Sequence, residues 1–488
     1  MKKLKDILYQ VSINQVFGNT NIDVNNLVFD SRKVEKDDVF VAQKGFTVDG
    51  HLYIEKAILL GANTIICEVF PTDKKEGITY VEVADANVAL AIMASNFYDN
   101  PSSKLQLVGV TGTNGKTTVA SLLYQLFKKA GYKVGLLSTV KILVDETEFK
   151  ATHTTPDSVT INGYLDKMLE EGVDFCFMEV SSHGIHQKRT EGLIFAGGIF
   201  TNLSHDHLDY HETFAEYRDV KKVFFDGLPK SAFALTNIDD KNGGFMLQNT
   251  KATKKTYALK TIANYKAKIL EKQFSGTLLN INGTEVWTKL IGEFNAYNLL
   301  AITATAELLG LEKLQILTIL SELKSVSGRF QYIISDDGIT AIVDYAHTPD
   351  ALKNVLETIN DIRTGNEKVI SIVGCGGDRD ATKRPKMAHI ASQLSNQAIF
   401  TSDNPRTENA QAIIDEMEVG VSPENFKKTL SVLDRRQAIK TACRFSETGD
   451  IILIAGKGHE NYQEINGERF YFDDLEEVAN CFNQLKKN

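Results

Sequence analysis

The sequence predicts an α/β protein with three domains. At 488 residues the chain is too long for one hydrophobic core, because single domains usually hold about 100–200 residues. Short apolar runs alternate with helical patterns, which is the order that parallel strands and crossover helices produce. The domains are predicted near residues 1–100, 101–330 and 331–488, where polar or glycine-containing joints interrupt this alternation.

The first domain is predicted to be a small α/β unit. A helical pattern covers residues 51–60, and DNPSSKLQ (99–106), which is polar and contains a proline, is interpreted as the linker to the next domain. The strand candidates are four apolar runs: LVFDS (27–31), DVFVAQ (38–43), NTIICEV (63–69) and ITYVEV (78–83).

The second and third domains are each predicted to contain a parallel sheet with crossover helices. In the second, the strand candidates are LVGVTG (107–112), KVGLLST (133–139), DFCFMEVSS (174–182), GGIFTNLS (197–204) and SAFALTN (231–237). A long helix over 292–310 closes this domain, and KSVSGRFQ (324–331) is the next joint. In the third, they are TAIVDYA (340–346), KVISIVGCGG (368–377), QAIFTSDN (397–404) and DIILIAGKG (450–458).

Composition argues against several classes of protein. A formal net charge of −9 leaves no basic excess with which to bind a nucleic acid. The five cysteines have no paired spacing, which favours a reducing compartment and no structural zinc. The basic start MKKLKDILYQVSINQVF lacks a signal-peptide core, and no segment reaches the about 18 apolar residues of a membrane span. We expect a cytoplasmic monomer without nucleic-acid or membrane partners.

Seven polar clusters follow predicted strands. In open parallel sheets, ligands bind beyond the carboxyl ends of the strands. The clusters therefore predict a ligand cleft between the second and third domains. They are TGTNGKTT, EVSSH, TNLSHDHLDYH, VDYAHTPD, GCGGDRD, TSDNPR and AGKGHE.

The first cluster is a glycine-rich turn between a strand and a helix, with a shorter glycine spacing than the usual G-x-x-x-x-G-K-[ST]. Its backbone N–H groups are placed to bind phosphates. Lys116 would neutralise phosphate charge, and the Thr117 hydroxyl is a candidate Mg²⁺ ligand. The alternative is a turn that binds nothing. The predicted ATP-binding loop consists of Gly112, Thr113, Asn114, Gly115, Lys116, Thr117 and Thr118.

Further polar residues allow more than one interpretation. Glu179 ends an apolar run, so its carboxylate is predicted to be buried. It is then either an energetically unfavourable buried charge or a group that interacts with a metal ion. His205, His207 and His211 fit surface positions, a zinc site, or one histidine joining oxygen ligands around Mg²⁺, which suits a phosphate loop best. By itself, Lys221 reads as a solvated helix lysine.

Ser181, Ser182 and His183 invite a hydrolase interpretation. No G-x-S-x-G elbow surrounds them, however, so nucleophilic catalysis is not predicted.

Taken together, the motifs resemble the Mur ligase family, ATP-dependent amide-forming enzymes of peptidoglycan precursor synthesis. The resemblance implies a small N-terminal UDP-binding domain, a central P-loop ATPase-like domain that binds ATP, and a C-terminal Rossmann-like domain that binds an amino acid. The matching stretches occur in family order over nearly the whole chain: FDSRKV, DDVFVAQKGFTVDGH, HTTP, MEVSSHGIHQKR, NLSHDHLDYH, FNAYN, SGRF, VDYAHTPDAL, GCGGDRDATKRP, SDNPRTE and AGKGHE.

The resemblance also implies roles for individual residues. The catalytic set would be Lys116, Glu179, His207 and Lys221. Magnesium ligands would be Thr117, Glu179, His207 and a carbamylated Lys221. Further ATP contacts would be Asn295, Asn298, Arg329 and Asp344. The substrate UDP-MurNAc-L-Ala-D-Glu would be held by Ser31 with the Gly45–Asp49 stretch, Thr154, Thr155, Ser181, Gln187 and Arg189.

Lys221 matches the lysine that this family carbamylates, in the pattern Tyr217…Lys221 after D-H-L-D. A carbamate presents oxygen to Mg²⁺, whereas an ammonium repels the metal. The neighbouring Lys222 points about 100° away on a helix and is not chosen.

The DNPR stretch resembles the signature of members that use meso-diaminopimelate. Arg406 offers a planar fork to the distal carboxylate that diaminopimelate has and lysine lacks, although a structural ion pair is the alternative. Glu460 would accept the distal ammonium. The amino-acid pocket would comprise Arg379, Asp403, Asn404, Pro405, Arg406, Gly456 and Glu460.

The implied reaction activates the D-glutamate side chain as an acyl phosphate, which the amine of meso-diaminopimelate then attacks. The alternatives are the same ligation with L-lysine, a D-Ala-D-Ala-adding family member, a folylpolyglutamate-synthetase-like ligase, or a non-catalytic ATP switch.

Overall fold

The computed structural model describes residues 2–45, 48–204 and 210–485. The first hundred residues carry a five-stranded sheet in the order β2-β7-β6-β5-β4. All four predicted strands are confirmed, but the antiparallel edge strand β2 and helix α3 were not predicted. The elements are β1 Lys2–Lys3, α1 Leu4–Ile7, β2 Ile13–Phe17, β3 Asp23–Val24, β4 Leu27–Val28, β5 Val39–Val41, α2 Ile54–Leu60, β6 Thr64–Cys67, β7 Thr79–Val83 and α3 Ala86–Phe97.

The next region forms an eleven-stranded sheet in the order β11-β10-β9-β12-β8-β13-β14-β15-β16-β17-β18. Its elements are β8 Gln106–Thr111, α4 Lys116–Lys129, β9 Val134–Leu137, β10 Lys141–Val144, β11 Thr147–Lys150, α5 Ser158–Glu170, β12 Phe175–Glu179, α6 Ser182–His186, β13 Gly197–Phe200, α7 Phe214–Asp226, β14 Phe233–Asn237, α8 Gly243–Met246, β15 Thr253–Ala258, β16 Tyr265–Gln273, β17 Gly276–Ile281, β18 Thr284–Thr288, α9 Glu293–Leu308 and α10 Lys313–Glu322.

The predicted parallel sheet is confirmed at the centre of this region, but the prediction did not include the strands at its two edges. Strands β9, β12, β8, β13, β14, β15 and β16 run parallel. Antiparallel strands extend both edges, because β10 and β11 form one hairpin and β16 to β18 form a meander. Strand β11 is mostly exposed and β16 is largely so, so neither has the continuous apolar run that predicted the central strands.

Both faces of the central sheet are covered. Helices α4, α9 and α10 pack on one face, and α5 and α7 pack on the other. This two-sided burial explains why the central strands are apolar along their whole length, with polar residues only where they end. The carboxyl ends of β9, β12, β8 and β13 therefore form a polar edge above an apolar core.

The last region forms a six-stranded sheet in the order β19-β20-β24-β21-β22-β23, parallel except for β19. Helices α11, α12 and α13 cover one face, and α14 and α15 cover the other. The elements are β19 Gln331–Ile334, β20 Thr340–Asp344, α11 Pro349–Ile362, β21 Val369–Val373, α12 Lys383–Leu394, β22 Gln397–Phe400, α13 Ala410–Glu418, β23 Thr429–Ser431, α14 Arg435–Phe445, β24 Ile451–Ala455, β25 Tyr462–Ile465, β26 Glu468–Tyr471 and α15 Asp474–Leu485.

Within the described residues, no helix combines the length and the apolar character that crossing a bilayer requires.

Candidate active site

The glycine-rich loop lies between β8 and α4, where the sequence predicted it. Residues that follow β13 fix its shape. The Thr113 N–H donates to the Asn202 carbonyl at 2.9 Å, and the Asn114 N–H donates to Asn202 Oδ1 at 2.9 Å. Thr201 Oγ1 donates to the Asn114 carbonyl at 2.6 Å. A neighbouring strand therefore holds the loop in one conformation.

The two glycines of this loop occupy positions that a side chain would disturb. Both have positive φ, 148° at Gly112 and 87° at Gly115. A Cβ on Gly112 would lie 2.0 Å from Thr201 Oγ1, and one on Gly115 would lie 2.7 Å from Asn298 Oδ1. Asn298 belongs to the first turns of α9, where its amide donates to Asn295 Oδ1 at 3.2 Å. The predicted ATP contacts on α9 thus adjoin the loop.

Replacing Gly112 by alanine is expected to lower kcat/KM for ATP about 100-fold. The new Cβ would meet Thr201 Oγ1 and the backbone of Asn202, and a displacement of about 1 Å at a reacting site has an effect of that size. Gly131 is the matched control, because its φ is +94° but nothing lies within 4 Å of its added Cβ. Gly131→Ala should cost about 1 kcal/mol of stability and leave kcat/KM unchanged. Equal kinetic effects of the two substitutions would contradict the inference that the close contacts of residue 112 determine the conformation of the loop.

Lys116 is the first residue of α4, and its side chain points back to the loop. Its ammonium donates to the carbonyls of Gly112 at 2.9 Å and Thr113 at 2.8 Å. The positive charge therefore lies at the mouth of the loop, where the phosphates of a nucleotide would sit.

Glu179 lies at the end of β12, completely buried. Its Oε2 accepts from the Thr117 hydroxyl at 3.0 Å, and its Oε1 accepts from the Thr139 N–H at 2.7 Å. Thr139 Oγ1 also lies 3.2 Å from Oε2. A carboxylate and hydroxyl oxygens are the donors that Mg²⁺ prefers, so these residues fit the magnesium site that the sequence suggested.

The histidine part of that predicted site lies outside the described residues, because it falls on His205 and His207. Across residues 2–45, 48–204 and 210–485, no group of three or more histidine, cysteine, aspartate or glutamate side chains is arranged to hold a metal. His211 is described, and it is buried against the ring of Tyr217 at 5.3 Å between centroids. Of the three interpretations, the surface one is therefore wrong for His211.

Lys221 is buried, with 1% of its surface exposed, so its interpretation as a solvated helix lysine is wrong. Its ammonium donates to the Gly112 carbonyl at 3.0 Å and lies 4.6 Å from the centre of the Tyr217 ring. The Tyr217 hydroxyl is 3.1 Å from Thr113 Oγ1. Lys222 instead forms an ion pair with Asp226 at 2.6 Å, as its different helical direction predicted. Helix α7 thus directs Lys221, and not Lys222, at the phosphate loop.

Five of the residues predicted to hold the nucleotide-linked dipeptide lie together beyond β12. Thr155 Oγ1 is 2.9 Å from the Glu179 carbonyl and 3.0 Å from Ser181 Oγ. Arg189 donates to the Thr155 carbonyl at 2.6 Å and, through Nε and Nη2, to Gln187 Oε1 at 3.0 and 2.6 Å. The fifth residue, Thr154, is 3.1 Å from Thr139 through the two hydroxyls. The group is therefore contiguous with Glu179.

The predicted uridine-binding residues lie in the first sheet region. Ser31, which is buried, begins a 3₁₀ turn over Ser31–Lys33, after β4. In the Gly45–Asp49 stretch, the Gly45 N–H donates to the Val48 carbonyl at 3.0 Å, and residues 46–47 lie outside the described part. Among the described residues, no hydrogen bond joins Ser31 to the Thr155 group.

The joint after α10 reaches back to the phosphate loop. Arg329 Nη2 donates to Thr117 Oγ1 at 3.2 Å, and its guanidinium carbon lies 4.5 Å from the centre of the Tyr345 ring. The Asp344 carboxylate accepts from the Phe330 N–H at 2.6 Å. Burial raises the pKa of Asp344 to about 6, while the charge of Arg329 acts in the opposite direction. Arg329 and Asp344 are thus adjacent to each other and near the loop.

The raised pKa predicts a pH-dependent stability difference between the protein and its Asp344→Asn variant. The folded state binds the Asp344 proton more tightly than the unfolded state, so this contribution to stability is present below about pH 4 and is lost as the pH rises through about 6. The variant should gain about 2–3 kcal/mol relative to the wild type between pH 4 and pH 8. Denaturant unfolding at both pH values measures this. A difference independent of pH would show that Asp344 ionises normally.

The predicted amino-acid pocket lies at the carboxyl ends of β21, β22 and β24. Asn404 Nδ2 donates to Glu460 Oε2 at 2.8 Å, and the Tyr345 hydroxyl is 3.3 Å from Glu460 Oε1. Gly456 has φ +118°, and a Cβ there would lie 2.5 Å from Asp403 Oδ2. These residues converge from three strand ends, as the pattern of polar clusters predicted.

The two pocket arginines differ in their surroundings. Arg406 Nη1 donates to the Gly377 carbonyl at 2.7 Å, and in the part of the chain that the structure describes it has no ion-pair partner. The alternative of a structural ion pair therefore finds no support there. Arg379 is exposed and donates to the Asp378 carbonyl at 3.0 Å. The Asp378 carboxylate accepts from the Thr407 hydroxyl at 2.7 Å.

Sequence reasoning missed three residues that the structure places in the site. Thr139 follows β9 and binds Glu179, Tyr345 contacts both Arg329 and Glu460, and the buried Lys457 donates to Asn404. All three stand at the carboxyl end of a strand or within a polar cluster already noted. Applying the strand-end rule to every residue of each cluster would have found Tyr345 and Lys457, and applying it to the end of the strand candidate KVGLLST would have found Thr139.

Comparison with protein families gives three matches in chain order. The Mur ligase family catalytic domain matches residues 23–98, the Mur ligase middle domain matches residues 110–306, and the Mur ligase glutamate ligase domain matches residues 328–458.

Individual relatives match over nearly the full length. A UDP-N-acetylmuramoyl-L-alanyl-D-glutamate–2,6-diaminopimelate ligase of Cytophaga hutchinsonii is 54% identical over 486 residues, which are 99% of this chain and 100% of the relative. A solved structure of an enzyme with that name is 31% identical, covers 99% of both chains and has a TM-score of 0.71. A folylpolyglutamate synthase of Mycobacterium tuberculosis, 16% identical, covers 74% of this chain and 91% of its own, with a TM-score of 0.60, and so shares the fold alone.

Proposed function

This chain belongs to the Mur ligase family, and from that premise we propose that it joins meso-diaminopimelate to UDP-MurNAc-L-Ala-D-Glu with cleavage of ATP. Relatives at 52% and 54% identity carry the name of this ligase. The structural observation that carries the proposal is the hydrogen bond from Arg329 to Thr117, because it places the joint that leads into the third sheet region against the phosphate loop. In this assignment, residues 1–100 bind the uridine end, 101–330 bind ATP and 331–488 bind the amino acid.

The reaction has two chemical steps. The D-glutamate side-chain carboxylate attacks the terminal phosphorus of ATP, which gives an acyl phosphate and ADP. The amine of the incoming amino acid then attacks the acyl carbon, a proton leaves the nitrogen, and inorganic phosphate departs. Both steps bring anions or polar groups together. The protein therefore contributes chiefly by positioning the reactants and by stabilising the negative charge of the transition state.

The chain's own residues supply these contributions. Lys116, at the loop mouth, offsets the repulsion between the carboxylate and the phosphates. Arg189, with Gln187, faces the strand end beside Glu179 and would hold the dipeptide there. Arg329 bridges to Thr117 and would fix the relation between the nucleotide and the incoming amine.

Magnesium would be held by Thr117, Glu179, His207 and the carbamate of Lys221. When bound, Mg²⁺ supplies positive charge to the phosphate oxygens. The fit rests on Glu179, a fully buried carboxylate whose described partners are hydroxyls and a backbone N–H, and on the position of Lys221 beside Gly112 at the phosphate loop.

The amino acid assigned here is meso-diaminopimelate and not L-lysine. The distal carboxylate of diaminopimelate would meet Arg406, and its distal ammonium would meet Glu460. L-Lysine would bring only an ammonium toward the guanidinium, which repels it. The absence of an ion-pair partner for Arg406 within the described residues supports this choice.

The test is a ligation assay with UDP-MurNAc-L-Ala-D-Glu and each of meso-diaminopimelate, L-lysine and L-ornithine. Phosphate release and the product mass should both require the UDP-dipeptide and the amino acid, and meso-diaminopimelate should be strongly preferred. Equal use of L-lysine would overturn the choice of amino acid. Phosphate release with ATP alone, without formation of a ligation product, would favour the interpretation as an ATP switch over that as a ligase.

A further inference from the structure

The ammonium of Lys457 is completely buried among residues of the proposed amino-acid pocket. It donates to Asn404 Oδ1 at 2.9 Å and lies 3.6 Å from an Asp403 oxygen and 3.8 Å from a Glu460 oxygen. We propose that Lys457 is a positioning residue for the incoming amino acid, which keeps Glu460 ionised and aimed at the substrate ammonium. This inference rests on the proposed function, since it assigns Glu460 to that ammonium.

Lys457 and the Glu464 N–H together determine which way the Asn404 amide faces. Asn404 Oδ1 accepts from Lys457 and also from the Glu464 N–H at 2.9 Å. An oxygen that accepts two N–H donors cannot be exchanged with the amide nitrogen without losing both bonds. Asn404 Nδ2 is therefore directed at Glu460 Oε2, to which it donates at 2.8 Å. With the Tyr345 hydroxyl 3.3 Å from Oε1, both oxygens of Glu460 have a defined position.

Lys457 also balances two neighbouring carboxylates. Burial raises the pKa of Glu460, the charge of Asp403 adds to this, and Lys457 opposes both. Burial acts on Asp403 in the same direction, yet the charges of Lys457 and Arg435 hold the pKa of Asp403 below its usual range. Without the ammonium, one carboxylate would take up a proton. A protonated Glu460 no longer attracts an ammonium by charge.

A buried ion pair in the same domain, between Arg435 and Asp474, has a different geometry. Arg435 binds both oxygens of Asp474 at 2.7 Å, and all of these groups are buried. Lys457 makes its short bond to a neutral amide and remains beyond hydrogen-bond distance from both carboxylates. Its charge therefore acts on the pocket at a distance, while its hydrogen bond orients Asn404.

The test compares Lys457→Met with the double variant Lys457→Met/Asp403→Asn in the ligation assay, with thermal unfolding of each full-length protein. Lys457→Met should raise KM for meso-diaminopimelate about 10- to 100-fold, the effect of losing a hydrogen bond to a charged group. KM for ATP and for the UDP-dipeptide should stay within about twofold. Removing the second carboxylate in the double variant should recover at least about half of that loss on a logarithmic scale.

Lys128→Met is the matched control, because Lys128 pairs with Asp145 at 2.8 Å far from this pocket. It should leave all three KM values unchanged. The proposal is overturned if Lys457→Met keeps the wild-type KM for the amino acid. It is equally overturned if Lys457→Met raises KM for all three substrates and lowers kcat, and if the double variant with Asp403→Asn has still lower activity. If the wild-type protein does not ligate meso-diaminopimelate, the proposed function itself is overturned. Failure of the proposed function is therefore distinguishable from failure of the role proposed for Lys457.

Discussion

Replacing Lys221 by alanine is expected to lower kcat about 100- to 1000-fold, with little change in KM for the three substrates. The side chain is buried against the Gly112 carbonyl, so the substitution removes a charged group directly beside the phosphate loop. Losing one group that stabilises the transferring phosphoryl group typically has an effect of this size. Steady-state phosphate release with all three substrates measures it.

Lys222→Ala provides the matched control from the next position of the same helix. Lys222 pairs with Asp226 four residues later, at 2.6 Å, and among the described residues the substitution removes this ion pair within α7 and no contact to the phosphate loop. It should therefore leave kcat unchanged. If both lysines were equally important, the assignment of Lys221 to the site would be wrong.

A second measurement separates the carbamate from the ammonium. The alanine variant leaves a space beside the loop into which a small ion can bind. If Lys221 acts as a carbamate, acetate or propionate should restore part of kcat, because each supplies a carboxylate oxygen where the carbamate would lie. If it acts as an ammonium, methylamine should restore kcat and acetate should not.

The edge of the sheet that carries the site was predictable from sequence. Parallel strands place their carboxyl ends together, so the polar residues that follow apolar runs had to converge. This reasoning located Glu179, the phosphate loop and the DNPR stretch.

The partners at that edge were not predictable. Thr139 binds Glu179 because β9 pairs with β12, and β12 also pairs with β8, which ends at the loop. These pairings join segments that are far apart in sequence, and no local pattern specifies them. The antiparallel edge strand β11 was not predicted for a related reason, because an edge strand exposed to solvent has no continuous apolar run.

Lys221 shows the same limit for a single side chain. Its helix is amphipathic, and a lysine in such a helix ordinarily faces solvent. Only the packing of α7 shows that this lysine is buried beside the phosphate loop, while its neighbour Lys222, which is also buried, pairs with Asp226 of the same helix. The family resemblance identified Lys221 where the residue pattern by itself did not.

Replacing Arg406 by methionine is expected to lower kcat/KM for meso-diaminopimelate about 1000-fold and to abolish its preference over L-lysine. The guanidinium donates to the Gly377 carbonyl at 2.7 Å, and no carboxylate of the described residues lies within ion-pair distance of it, so its remaining donors suit the distal carboxylate of the substrate. Two charge-assisted hydrogen bonds at about 1.5–3 kcal/mol each account for the loss. Competition between the two amino acids in one assay measures the preference directly.

The substitution Arg406→Lys distinguishes a planar fork from a point charge. Lysine keeps the charge but cannot make two parallel bonds to a carboxylate, so most of the loss should persist. Arg469→Met is the control, since Arg469 is an exposed arginine that stacks on Tyr462 at 4.3 Å and should tolerate the change. Equal losses with meso-diaminopimelate and L-lysine, together with a lower melting temperature, would instead mean that Arg406 supports the Gly377 turn. The distal acid group would then be recognised elsewhere in the pocket.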